Sequence, residues 1–314
     1  MALDLSELNS VSKKFYDSTV TQQVYEKDAF YAKALKKGNV SWDGGTQIQW
    51  PIRYTKLAQA ESIGPRDQIS YTGAETRTAC VLDWKYIIDK TTLHLDEKIK
   101  NGGKGQIISL VKDKTTELSE DMLDFFCTDL YATSSVSNKI IPLSTIVDSA
   151  DTYGGVAVAD AAEWASEENS TTTELNLYGE YSLSYYVNLC TFGPNAPNYH
   201  VTTKNLFSKL ESLIEPQKRY EDKETADLGF RNLTFHGITV VPTAYMPAGY
   251  WYGLDMDQFE IRYHPDYNFK VSDWFELPQA GYPWAAAKTV IWAGNILCRM
   301  RKTSFKMSAL DYTI

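Results

Sequence analysis

Two long alternating runs constrain this chain more than any other feature. From Thr46 to Tyr54 the apolar residues Ile48, Trp50, Ile52 and Tyr54 alternate with Gln47, Gln49, Pro51 and Arg53. From Thr76 to Ile88 the residues Thr78, Cys80, Leu82, Trp84, Tyr86 and Ile88 keep the same period of two. Successive strand side chains point to opposite faces, so each run reads as a strand with one buried face. Residues 55–75 between them are rich in Gly, Ser, Gln and charge. The pattern predicts a long two-stranded hairpin with a large polar tip, and Pro51 marks an edge or a bulge. A two-stranded ribbon is at best marginally stable alone in water. Its apolar face therefore needs a partner surface, either on this chain or on another copy.

The flanking segments differ in kind. Residues 1–40 are polar and mixed in charge, with only scattered apolar residues such as Leu5, Leu8, Phe15, Phe30 and Leu35. They read as an arm of one or two helical turns that must lie on something else. After Asn101-Gly-Gly-Lys-Gly105, the residues Ile107, Val111, Leu118, Met122, Phe125 and Leu130 recur at helical steps, which predicts a helix over 105–131. At 1.5 Å per residue it spans about 40 Å, long enough for a structural spine. Its polar face carries Lys112, Lys114, Glu117, Glu120, Asp121 and Asp124.

From 142 to 255 the pattern changes to short alternating elements of a compact α+β unit. A helix is expected from about Thr173 to Leu189. Another is capped by Thr203, carries Leu206, Phe207, Leu210, Leu213 and Ile214 on its face, and is ended by Pro216. Phe235 to Val241 reads as a strand. Residues 256–314 return to strand character at Phe259–Tyr263, Asn268–Trp274 and Val290–Met307.

Composition narrows the function class. The chain has 314 residues with 31 Lys+Arg against 40 Asp+Glu, a net charge of −9. An acidic surplus disfavours a protein whose task is gripping nucleic-acid phosphates, which needs clustered Lys and Arg. It does not exclude a protein that surrounds nucleic acid. No basic-then-apolar leader opens the sequence, and no apolar run is long enough to span a bilayer, so the expectation is a chain made in the cytosol. Cys80, Cys127, Cys190 and Cys298 are far apart, without zinc or redox spacing, and read as small buried apolar residues.

Catalytic patterns are absent. His94, His200, His236 and His264 have no ligand-spaced partners, and no nucleophile elbow, zinc-protease helix or phosphate-binding loop occurs. Asn101-Gly-Gly-Lys-Gly105 lacks the Lys-Ser/Thr that a phosphate loop needs, and Leu254-Asp-Met-Asp257 reads as a turn. No catalytic, cofactor or metal residue is assigned. The candidate contact residues lie on the hairpin: Trp50, Tyr54, Glu61, Arg66, Asp67, Arg77 and Trp84. Charge at the end of a projecting ribbon points to contact with another copy, and Tyr and Trp, at 21 and 8 copies, are residue types enriched in subunit contacts.

The order of parts (arm, long hairpin, long helix, α+β unit, C-terminal strands) resembles the major capsid proteins of tailed bacteriophages, the Hong Kong 97 type fold. Gly44-Gly-Thr-Gln-Ile-Gln-Trp-Pro-Ile-Arg53 looks like the ascending strand of that family's extended loop, and Gly105 to Tyr131 like its spine helix. Asn205-Leu-Phe-Ser-Lys-Leu210 resembles the axial-domain helix. Phe230 to Pro242, continuing through Met246-Pro-Ala-Gly249 to Tyr252-Gly-Leu-Asp255, resembles the strand that leads into a small turn and Leu-Asp. The resemblance implies an arm at 1–40, an extended loop at 41–90, a peripheral domain at 91–141 and 256–314, and an axial domain at 142–255.

It further implies many copies forming hexamers and pentamers of an icosahedral shell around packaged double-stranded DNA, in a virion assembled in the host cytoplasm. Portal, scaffolding and decoration proteins would be partners, and no membrane would be involved. No long charged helical segment precedes the arm, so scaffolding is expected from a separate protein, or the sequence is the mature form. Some relatives crosslink a loop lysine to an asparagine; Lys56 lies near the tip, but no pattern fixes a partner for it. Two other readings stay open. One is a different self-assembling shell or a tail-tube component, expected to be shorter and without a long helix. The other is a cytosolic enzyme or binding protein with a pocket in 142–255.

Overall fold

The structure is a computed structural model that describes residues 28, 30, 33, 40–41, 45–69, 73, 75–94, 97, 104–172, 174–214, 233–277 and 285–311. Four strands come first: β1 (Val40–Ser41), β2 (Ile48–Arg53), β3 (Arg77–Leu82) and β4 (Lys85–Leu93). The long helix α1 (Lys104–Leu130) and the short α2 (Leu143–Ile146) follow. Next are β5 (Glu167–Asn169), α3 (Leu183–Leu189), β6 (Tyr199–Thr203) and α4 (Lys204–Ile214). The chain continues through β7 (Leu233–Phe235), β8 (Ile238–Thr243), β9 (Trp251–Leu254) and β10 (Phe259–Tyr263). It closes with β11 (Lys270–Val271), β12 (Phe275–Glu276), β13 (Ala286–Cys298) and β14 (Phe305–Met307).

These strands build two six-stranded sheets and one two-stranded ribbon. In the first sheet the 13-residue β13 is the axis. It pairs antiparallel with β4 along one edge and with β10, β11 and β12 along the other, while β1 runs parallel to β10. The second sheet has the order β5-β14-β9-β6-β8-β7. Among the described residues β2 and β3 pair only with each other, from Ile48 opposite Leu82 to Arg53 opposite Arg77.

Helix α1 lies on the first sheet because its apolar residues recur every fourth position. Leu118, Met122, Phe126 and Leu130 are buried, joined by Leu123 and Cys127 one residue on. Phe126 meets Trp292 of β13 edge to face, with ring centroids 5.1 Å apart. Burying such a side chain stabilises the fold by roughly 1.5–3 kcal/mol, so this face fixes the helix. Phe125, expected on that stripe, is instead exposed beside Glu117, Asp121 and Asp124, with the Lys139 ammonium 5.2 Å above its ring.

The second sheet is covered on both faces, and adjacent residues divide between them. Tyr252 and Val241 join the cluster that holds α1 and the first sheet. Their neighbours Trp251 and Val240 join a second cluster with α3, α4, Phe305 and Met307. Helix α4 begins where expected, with Thr203 Oγ1 accepting the Leu206 N–H at 3.4 Å. Its expected terminator Pro216 lies outside the described residues.

Several expected elements are shorter or split. The helix expected from Thr173 is formed only over Leu183–Leu189, because Gly179 takes a φ of +108° and Ser182 caps the helix by accepting the Tyr185 N–H. The strand at Phe235–Val241 is two strands joined by a tight turn at His236 and Gly237, both with positive φ. Strand structure at Asn268–Trp274 is confined to Lys270–Val271. The run Val290–Met307 breaks at a 3-10 turn, Arg301–Thr303, after which β14 enters the second sheet rather than the first. The peripheral grouping expected for 256–314 therefore does not follow the sheets at 305–307.

The strand expected over 76–88 also divides, at Asp83–Trp84, and its second half leaves β2 to pair with β13. Residues 85–90, expected within the extended loop at 41–90, thus lie in a strand of the first sheet. The exchange of partners shifts the buried parity: Cys80 and Leu82 are buried, then Ile87, while Tyr86 and Ile88 turn outward. Of the arm, the described residues dock on the chain's own body. Asp28 accepts hydrogen bonds from the Tyr131 and Thr243 hydroxyls, and Phe30 packs edge to face on Phe259.

Candidate assembly surface

The hairpin finds its partner surface on its own chain. Ile48, Trp50, Ile52, Cys80 and Leu82 are all buried, Trp50 to 5 % exposure, in the cluster that includes Tyr153 and Trp164. The Trp50 ring lies 5.9 Å from that of Tyr153, which stacks on Trp164 at 6.3 Å. Gly154 permits the approach. Its φ is +62°, a β-carbon there would lie 2.8 Å from the β-carbon of Cys80, and its carbonyl accepts the Val81 N–H at 2.9 Å. Asn295 Nδ2 donates to the Asp83 carbonyl at 3.0 Å, fastening the base of the hairpin to β13.

The expected contact residues therefore separate. Trp50, expected at a subunit contact, belongs to the chain's own core. Trp84 is half-buried, donates from Nε1 to the Gly45 carbonyl at 3.0 Å and meets the His264 ring at 6.3 Å. Tyr54 is half-buried, with its N–H on the Thr76 carbonyl. Glu61, Arg66, Asp67 and Arg77 are exposed, and Asp67 Oδ2 accepts the Gly64 N–H. The last residues of the hairpin loop, apart from Gly73, Glu75 and Thr76, lie outside the described set.

Sequence reasoning missed the apolar residues that this arrangement leaves uncovered. Leu57, Ile63 and Ile69 are half-exposed along a segment without regular secondary structure. Tyr86 and Ile88 stand outward on β4 at 68 % and 64 % exposure. Single exposed apolar residues are ordinary, but three on one loop and two on one strand make these segments the candidates for an interaction surface. The signal for Leu57, Ile63 and Ile69 was present as three apolar residues in a polar loop. The signal for Tyr86 and Ile88 was hidden by the parity shift at Asp83–Trp84.

The titratable groups are arranged for stability. Cys80 and Cys298 are buried, and desolvation pushes both thiols up to about 12. His200 is buried between Trp251 and Phe305, accepts the Trp251 indole N–H on Nδ1, and is held neutral by desolvation, its pKa lowered to about 3. Lys306 sits 2.7 Å from Asp148 and 3.1 Å from Glu168, joining β14 to the turn after α2 and to β5. Two further buried polar links are Tyr153 Oη, which donates to the Ile296 carbonyl and accepts the Cys298 N–H. Among the described residues no group of three or more His, Cys, Asp or Glu could hold a metal ion, and no helix is long and apolar enough to cross a membrane.

No family model matches the sequence, and no curated protein matches it by sequence. Solved structures do match. The capsid asymmetric unit of cyanophage A-1(L) is 16 % identical with a TM-score of 0.58, over 93 % of this chain and 92 % of that one. The capsid of a native GTA particle is 9 % identical with a TM-score of 0.56, over 89 % and 90 % of the two chains. The procapsid of satellite phage P4, which includes a size-determination protein, is 12 % identical with a TM-score of 0.50, over 96 % and 94 %. Over almost its whole length, this chain has the α+β fold of phage capsid proteins.

Proposed function

We propose that this chain is a structural subunit that self-assembles into the icosahedral head shell of a tailed bacteriophage, in hexamers and pentamers around packaged double-stranded DNA. The observation that carries the reading is the agreement of fold along about nine-tenths of both chains with capsid proteins. The exposed apolar set on the hairpin loop and β4 supports it, because identical copies can bury what one copy leaves open. In this reading the first sheet with α1 is the peripheral domain, and the second sheet is the axial domain, with β14 added to it. The contact residues are Tyr54, Glu61, Arg66, Asp67 and Arg77, with Leu57, Ile63 and Ile69 supplying apolar anchors. Trp50 and Trp84 act indirectly, by holding the hairpin to its own body.

The role is mechanical, not enzymatic. A net charge of −9 suits a wall that encloses duplex DNA, since clustered Lys and Arg would bind its phosphates with release of counterions. Portal, scaffolding and decoration proteins are the remaining partners, and the location is the virion after assembly in the host cytoplasm. Negative-stain microscopy of the purified protein tests the reading. Closed shells tens of nanometres across are expected; a strictly monomeric or dimeric species under all assembly conditions refutes it.

A further inference from the structure

The hairpin rests on a cradle that has no sheet of its own. Residues 145–165, from the end of α2 to the 3-10 turn at Ala162–Trp164, supply Tyr153 beneath Trp50, the Gly154 carbonyl for Val81, and Glu163 at 3.6 Å from Lys56. Apart from β5 just beyond it, this stretch pairs with neither large sheet, so its shape has to be imposed by side chains. One side chain spans most of it. Arg301, fully buried in the 3-10 turn before β14, donates from Nε to the Ile146 carbonyl at 2.7 Å and from Nη1 to the Asp151 carbonyl at 3.2 Å. Its Nη2 donates to the carbonyls of Thr145 at 3.3 Å and Asp148 at 3.0 Å. The guanidinium also lies 5.5 Å from the centroid of the Tyr153 ring, which meets Trp50, and 5.8 Å from that of Trp164, which stacks on Tyr153.

From this geometry we infer that Arg301 is a positioning residue for assembly: it fixes the angle at which the hairpin leaves the body relative to the second sheet. The guanidinium is a planar fork of fixed donors, and only such a group reaches four carbonyls at once while lying against aromatic faces. It enters from the connection into β14, a strand of the second sheet, and holds the cradle of the hairpin. The direction of the ribbon is thereby tied to that sheet. A subunit that contacts its neighbours through the end of a ribbon magnifies a small angular error at the base. A role in assembly follows only if the hairpin is a contact element, as proposed above; the angular tie itself does not depend on that.

The test uses spin labels on the full chain before assembly, at Arg53→Cys on β2 and Ser212→Cys on α4. Both positions are exposed, whereas the four native cysteines are buried. Pulsed dipolar spectroscopy should give one narrow distance in the parent chain. Arg301→Met should lose it in favour of a broad distribution. Arg301→Lys, which keeps the charge but has one compact ammonium in place of the fork, should also broaden it and covers the case in which the methionine variant does not fold. Val240→Ala, a truncation in β8 within the other core cluster from Tyr153 and Trp164, should lower stability and leave the distance narrow. In assembly, Arg301→Lys should yield open or misshapen shells where Val240→Ala yields closed ones. A narrow distance in both Arg301 variants, or equal broadening in Val240→Ala, overturns the inference. Because the distance is read on unassembled chain, failure of the parent to form shells would count against the capsid reading and not against this one.

Discussion

Truncating Trp50 separates a hairpin that is part of the body from one that merely awaits a neighbour. The side chain is 5 % exposed and packs on Tyr153, with its six-membered ring edge close to Gly154. Replacing a buried Trp by Ala costs about 3–5 kcal/mol, through lost burial plus the cavity left behind. The indole N–H has no hydrogen-bond partner among the described residues. Trp50→Phe removes that unsatisfied donor together with part of the ring, so it should cost only about 1 kcal/mol. Unfolding entropy is about 2.1 cal/mol/K per residue near 60 °C. For 314 residues unfolding together this is about 0.7 kcal/mol/K, so a loss of ~4 kcal/mol lowers the midpoint by about 6 °C. Thermal melts of unassembled chain, followed by near-ultraviolet circular dichroism, measure this directly. Trp50→Ala should melt about 6 °C lower and Trp50→Phe within about 2 °C of the parent. A Trp50→Ala midpoint equal to that of the parent refutes the argument, because it would mean that the hairpin does not pack on the body in solution.

Other predictions address the surface and the buried charges. Replacing Leu57, Ile63 and Ile69 together by Ser should leave the melting midpoint nearly unchanged and abolish shell formation, read by light scattering; normal assembly would show that these residues are not contacts. The folded-state pKa of His200 is depressed to about 3 from the usual 6.5, so the unfolded chain binds the extra proton first. Its contribution is present above pH 6.5 and is lost as pH falls from there toward 3, with a slope of about 1.4 kcal/mol per pH unit. His200→Phe should flatten urea-derived stability between pH 4 and 6 by one proton, and an unchanged slope would contradict the burial argument. Hydrogen bonds from Lys306, Ala150 and Asp151 outweigh the desolvation of Asp148 and hold its carboxyl below the usual range. That stability is complete above the ordinary carboxylate pKa near 4 and is lost as pH falls through the lower folded value. Asp148→Asn should therefore destabilise the chain at pH 7 and weaken its further response below pH 4, as followed by melts across that range.

Much of this architecture was legible because its signals are local. The period of two around Trp50 and the helical recurrence of Leu118, Met122 and Leu130 each reflect one buried face along one element, although the stripe was read through Phe125 where Phe126 is the buried residue. The Thr203 cap is a single side chain serving the turn that follows it. What stayed hidden depends on partners distant in sequence. Tyr86 continues the alternation of Cys80 and Leu82, yet it faces outward, because β4 takes β13 as its partner rather than β2. Met307 reads as the end of a strand begun at Val290, but Arg301 and the 3-10 turn redirect the chain into the other sheet. Trp50 satisfied the rule that a ribbon needs a covering surface; the rule could not say that Tyr153 and Gly154 provide it. Arg301 gave no signal at all, since a lone basic residue near a chain end normally reads as surface.

The most direct test of the central claim is a single-particle reconstruction of the particles formed by this protein. The account predicts closed icosahedral shells built of hexamers and pentamers, in which Leu57, Ile63 and Ile69 of each copy are buried against a neighbouring copy while Trp50 remains against Tyr153 of its own chain. Particles in which that loop stays in solvent, or a protein that forms no ordered particle at all, would contradict it.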